Sequence, residues 1–141
     1  MIKRTILHIK TEKFPILPGE KDELVNDGMY GKGLAIYLNS SLKSKGYNSP
    51  FYCCEDWGWW VHIKGFPYLM GLCIYGSVGD DGGMHEYVVC SATTEERIWS
   101  WRKFRKVDTV NEVTKLMDDV ELIFKEDSEI TQCNRLDDFP W

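Results

Sequence analysis

Three aromatic and β-branched runs, Phe51 to Lys64, Tyr68 to Tyr75 and His85 to Ala92, follow one another with only turn signals between them. No other feature constrains the fold as much. Gly65-Phe66-Pro67 suits the first connection, and Gly76 to Gly83, with Asp80-Asp81-Gly82-Gly83 at its tip, suits the second. Strands joined this closely pair most economically as antiparallel hairpins. Arg97 to Phe104 reads as a fourth strand, because Ile98, Ser100, Arg102 and Phe104 alternate with Arg97, Trp99, Trp101 and Lys103. Thr5 to Lys10 reads as a strand before these, and Glu129 to Cys133 as a short one after them.

Two segments carry a helical period instead. From about Tyr30 to Lys45, Leu34, Tyr37, Leu38 and Leu42 recur at helical spacing, Gly46 stands where a C-cap belongs, and Lys32, Asn39, Ser40 and Lys43 form the wet face. From Thr109 to about Lys125, Val110, Val113, Leu116, Met117, Val120, Ile123 and Phe124 line one side behind the capping-box pattern Thr109-x-x-Glu112. Between Thr11 and Asn26, Pro15, Pro18, Gly19 and the charged stretch Glu20 to Glu23 break both periods and mark a surface connection. The expected fold is α+β: a mainly antiparallel sheet of four to six strands with two helices packed on one face, in the order β-α-β-β-β-(β)-α-(β). No repeat, low-complexity tract or linker divides residues 1–141, so one domain is expected.

Net charge is −5, which argues against a nucleic-acid footprint of clustered positive potential. The N-terminal MIKRTILHIK alternates charged and apolar residues, so it reads as neither a signal peptide nor a membrane span, and the expected compartment is the cytoplasm. Cys53, Cys54, Cys73, Cys90 and Cys133 are odd in number and sit mostly in apolar runs; they read as reduced, small hydrophobes. Six Trp, seven Tyr and six Phe supply both core and contact area.

The chemistry-bearing residues form no recognised catalytic pattern. His8, His62 and His85 lack metal-ligand spacing, and the only adjacent cysteines are Cys53-Cys54, so neither a metal nor a cofactor is expected. Gly28, Gly31 and Gly33 precede a helix without the phosphate-loop lysine arrangement. A small enzyme built on Glu55, or on Cys53 or Cys54 with His62 or His85, stays open as an alternative. Extended alternation would put Glu55, Trp57 and Trp59 on one face of a strand and Asp56, Gly58 and Trp60 on the other. Arg97 to Lys106 interleaves Trp99, Trp101 and Phe104 with five basic side chains. That pattern suits a single-stranded nucleic-acid binder through Trp99–Lys106, but an edge strand with its Trp rings on the core is preferred. The C-terminal third is acidic, with Asp118, Asp119 and Glu121 on the last helix, and a negative patch steers a basic partner.

The succession of helix, Gly46, Asn48-Ser49-Pro50 and then Glu55-Asp56-Trp57-Gly58-Trp59 opening a hairpin resembles a group of small bacterial proteins that carry a Glu-Asp-Trp-Gly-Trp motif. The resemblance covers about Tyr30 to Tyr75. Some small α+β proteins of this kind are immunity proteins, which implies an inhibitor that neutralises a toxin. The expectation is therefore a non-enzymatic module with a protein partner, such as a basic toxin, and with neither nucleic acid nor membrane as its target. Its contact residues would be Glu55, Asp56, Trp57, Trp59, Asp80, Asp81, Asp118, Asp119 and Glu121.

Overall fold

In the computed structural model, which describes residues 1–26, 28–77 and 84–141, the sheet is built from β1 (Ile6–Thr11), β2 (Tyr52–Glu55), β3 (Gly58–Ile63), β4 (Met70–Ser77), β5 (His85–Ser91) and β8 (Ile130–Leu136). Their spatial order is β2-β3-β4-β5-β1-β8, and every neighbouring pair is antiparallel. A second sheet pairs β6 (Arg97–Ser100) with β7 (Arg105–Asp108). The helices are a single turn, α1 (Glu20–Glu23), and the long α2 (Lys32–Ser44) and α3 (Val110–Lys125). The chain is α+β with an antiparallel six-stranded sheet, as the runs of the sequence require. Among the described residues no helix is long and apolar enough to cross a membrane.

Strand parity divides the sheet. Leu7 and Ile9 of β1, Trp59, Val61 and Ile63 of β3, Leu72 and Ile74 of β4, and Tyr87 and Val89 of β5 join one buried cluster. Leu34, Leu38 and Leu42 of α2 and Val113, Leu116, Met117, Val120 and Phe124 of α3 complete it. Burying a Leu or Ile side chain stabilises a fold by about 1.5–3 kcal/mol, so this cluster decides the register. Of the alternate strand residues, Ile6, His8, Cys73 and Tyr75 lie outside the cluster and remain half-exposed, whereas Val88, between His8 and Tyr75, is buried.

Several local expectations need correcting. The run Phe51 to Lys64 is a hairpin rather than one strand: Asp56 and Trp57 form a two-residue turn, and Glu55 faces Gly58. A Cβ at Gly58 would collide with the Ile74 carbonyl, so this hairpin end can close on β4 only with glycine there. Arg97 to Phe104 is likewise no single strand, because the chain reverses between Ser100 and Arg105. The last strand extends to Leu136, beyond the expected Cys133. Thr109 occupies the N-cap of α3 but forms no capping box, since its hydroxyl donates to the Glu95 carbonyl and Glu112 accepts from Tyr68 instead. Asn39 leaves the wet face of α2 and is buried, donating to the carbonyl and hydroxyl of Ser49 (2.9 Å each).

Gly46 does end α2. At φ 92° it lets its own N–H reach Lys43 O (3.0 Å) and that of Tyr47 reach Leu42 O (3.0 Å), the paired bonds of a Schellman motif. The other end of α2 has an unforeseen cap. Glu20, from the segment read as a polar loop, is 1% exposed. Its carboxylate accepts from the N–H groups of Leu17 (3.1 Å), Gly31 (3.0 Å) and Lys32 (3.3 Å).

Candidate functional site

The Glu55–Trp60 segment sits on the β2–β3 turn. The turn resets the parity: Cys53 opposes Trp60, Cys54 opposes Trp59, and Glu55 opposes Gly58. Glu55 therefore shares a face with Cys53 and Trp60, not with Trp59, which corrects the extended alternation. Trp59 is 3% exposed, packs into the core and donates its indole N–H to the Met29 carbonyl (2.8 Å). It is a structural pin, and the contact set loses it. Asp56 is exposed at the tip, where its carbonyl accepts from Asn26 Nδ2 (2.6 Å), and Trp57 is half-buried against Tyr75, with ring centroids 5.4 Å apart.

On the side of the sheet away from the core cluster, two runs of rings form. Phe51 stacks on His62 at 4.7 Å with planes 12° apart, and His62 meets Trp60 at 5.9 Å. The Trp60 ring covers Gly71, where any Cβ would strike it. The second run leads from Trp57 through Tyr75 and Phe139 to Trp141 and His8, with neighbouring centroids 5.1–6.4 Å apart. Phe139 and Trp141 come from the last five residues, which cross this face after Asp137 accepts the backbone N–H of Arg4 (2.8 Å). Between the two runs, Cys73 and Cys90 face each other across β4 and β5. Burial pushes their thiols up to about 11 and about 12, so neither is a ready nucleophile at neutral pH.

The ingredients of the enzymatic alternative form no Cys–His hydrogen bond among the described residues, although Cys53, Glu55 and His62 share a face of the β2–β3 hairpin. Cys53 Sγ donates to Glu55 Oε1 (3.4 Å) and Cys54 Sγ to Glu55 O (3.6 Å). Burial first, and the Glu55 carboxylate second, raise the Cys53 thiol above its ordinary value, the reverse of activation. The Nδ1 atoms of His62 and His85 are buried with no hydrogen-bond partner among the described residues, so no such partner orients either ring as a base. A concavity of about 290 Å³ beside β2 is lined by Glu23, Lys32, Tyr52, Cys53, Cys54 and Trp59. No group of His, Cys, Asp and Glu among the described residues is placed to hold a metal ion. The N-terminus of α2, the obvious seat for an anion, is filled by Glu20.

The acidic helix is largely neutralised within the fold. Asp118 and Glu121 both meet Arg135 of β8, and Glu121 also pairs with Lys125 (3.4 Å). Asp119 accepts from Lys115 (2.7 Å) and the Tyr47 hydroxyl (2.5 Å). Burial alone would raise the Asp119 carboxyl, but these bonds outweigh it and hold the group below its ordinary value. Tyr47 moves the opposite way, up to about 12, through burial and then the same carboxylate. Asp80 and Asp81 lie outside the described residues.

The aromatic-basic stripe departs furthest from expectation. Its rings do not sit on the core: Trp101 is 80% exposed and Phe104 73%, at the end of the β6–β7 hairpin. Alternation in Arg97 to Phe104 hid this, since a strand and a hairpin approach read alike until the reversal is seen. Comparison with known protein families, with curated proteins and with solved structures finds nothing that matches this chain.

Proposed function

We propose that the chain is a non-enzymatic protein-binding module of the immunity or antagonist kind, acting in the bacterial cytoplasm, and that it meets its partner with the ring-bearing face of the large sheet. The supporting observation is the two runs of rings on that face. An aromatic surface left half-exposed on a sheet whose other face holds the core is the composition of an interface centre, where Trp and Tyr dominate binding energy. Glu55 and Asp56 stand at its rim, where charges govern approach and register more than affinity. The carboxylates of α3, already paired with Arg135, Lys115 and Lys125, take a secondary place.

The test is capture from the source cell with the intact chain and with two variants. Phe51→Ala/Trp57→Ala strips the face, whereas Ser40→Ala/Lys43→Ala alters the wet side of α2. A partner held by the parent chain and the α2 variant, but released at least roughly tenfold faster by the face variant, fits loss of an aromatic anchor. Equal retention by both variants, or no partner at all, would count against the proposal.

A further inference from the structure

The β6–β7 hairpin stands outside the large sheet and has a division of its own. Ser100 and Val107 are buried, whereas residues 101–106 are all exposed. Trp99 meets Trp101 at 5.6 Å and 78°, Trp99 meets Phe104 at 5.4 Å and 70°, and Trp101 meets Phe104 at 6.4 Å and 58°. Phe104 holds this arrangement from a left-handed backbone (φ 52°), which a bulky residue adopts only at a cost. Interleaved with the rings along the chain are Arg102, Lys103, Arg105 and Lys106, all exposed and none with an ion-pair partner among the described residues, while Arg97 is matched by Asp108 (3.4 Å). The hairpin thus carries five basic side chains against one acidic one, in a chain of net charge −5.

We infer, against the expectation of no membrane target, that this hairpin is a docking tip for an anionic lipid surface. Three mutually contacting rings, Trp99 edge-to-face with Trp101 and with Phe104, make one wedge, and Trp and Phe gain by entering the interfacial layer of a bilayer. The four cations without an ion-pair partner among the described residues share the exposed hairpin end with the rings, so they meet lipid phosphates as the rings enter. A strand of nucleic acid needs something else: a basic groove that tracks its backbone, with separate ring faces for successive bases. Here the cations fall within the six exposed residues 101–106 of one hairpin end, and the rings are packed into a single cluster rather than spaced along a groove. Leu69, also exposed, lines a groove of about 450 Å³ with Trp99 and Trp101 and widens the apolar tip. This surface is separate from the ring-bearing sheet face, and either assignment can fail without the other.

Co-sedimentation of the intact chain with phosphatidylcholine vesicles, with and without phosphatidylglycerol, tests the inference. The parent chain should pellet with the anionic vesicles only, and less so as salt rises. Neutralising Arg102, Lys103, Arg105 or Lys106 to Gln should weaken binding roughly fivefold each. Trp101→Ala/Phe104→Ala should abolish pelleting while circular dichroism stays unchanged, because both side chains are exposed. No pelleting by the parent chain would overturn the inference, as would undiminished binding by the ring variant. Tighter binding to a single-stranded oligonucleotide than to anionic vesicles would also overturn it and give the tip to nucleic acid.

Discussion

Removing the Glu20 carboxylate is the sharpest test of how the N-terminal third is held. Its two oxygens accept three backbone N–H groups, two of them at the start of α2, and the residue is 1% exposed. Hydrogen bonds to a charged group contribute about 1.5–3 kcal/mol each, and a buried donor left alone costs about 1–3 kcal/mol. The favourable meeting of carboxylate and helix N-terminus adds about 0.3–2 kcal/mol. Water will reach some of the freed N–H groups, so Glu20→Ala should cost about 3–5 kcal/mol in all, a large share of the roughly 5–15 kcal/mol that holds a domain together. Glu20→Gln keeps an acceptor oxygen but not the charge and should lose about half as much. Urea denaturation followed by Trp fluorescence reads both. Sulfate should partly restore the alanine variant, since the vacated helix end binds an anion. A loss below about 1 kcal/mol for Glu20→Ala, the size expected of an exposed carboxylate, would refute the assignment of Glu20 as the cap.

Three further outcomes follow from single contacts. Phe104→Gly should stabilise the chain by about 1 kcal/mol in denaturation, because glycine accepts the left-handed backbone freely, even as it removes a ring from the hairpin tip. Gly76→Ala should destabilise by more than about 2 kcal/mol, since its Cβ would meet the Tyr30 carbonyl, a backbone atom with little freedom to retreat. Asp127 is subject first to burial, which raises its carboxyl, but bonds from Lys13 (2.5 Å) and the Tyr37 hydroxyl (2.7 Å) outweigh burial and leave it below its ordinary value. Its stabilisation is therefore present above the unfolded aspartate value and lost as pH falls through the folded one. Asp127→Asn should be less stable than the parent chain at neutral pH and converge with it in acid.

Much of the fold is legible in the sequence where periodicity and punctuation coincide. α3 shows an unbroken apolar stripe, α2 ends at a glycine that does become left-handed, and β4 and β5 are continuous aromatic and β-branched runs. What escapes is reversal without a turn signal. Asp56-Trp57 has neither Asn nor Gly at its centre, and the β6–β7 reversal uses Phe104 in a left-handed conformation usually left to glycine. Both turns therefore read as strand, and each misreading moves side chains between faces. Trp59 looks like a contact residue until the β2–β3 turn sends it into the core, and Trp101 looks buried until its hairpin carries it into solvent. Glu20 and Asn39 escape for a different reason. Polar residues in polar surroundings give no sign of burial, which depends on backbone donors and acceptors brought up by tertiary structure.

The proposal that the ring-bearing sheet face is the partner surface is tested most directly by photo-crosslinking inside the source cell. A benzoyl-phenylalanine replaces Phe51, Asp56 or, as a control on the wet side of α2, Lys43. All three side chains are exposed, so each variant should fold and differ only in where the probe points. One discrete heterologous adduct is expected from positions 51 and 56 and none from position 43. Adducts from position 43 alone, or equally from all three, would contradict it.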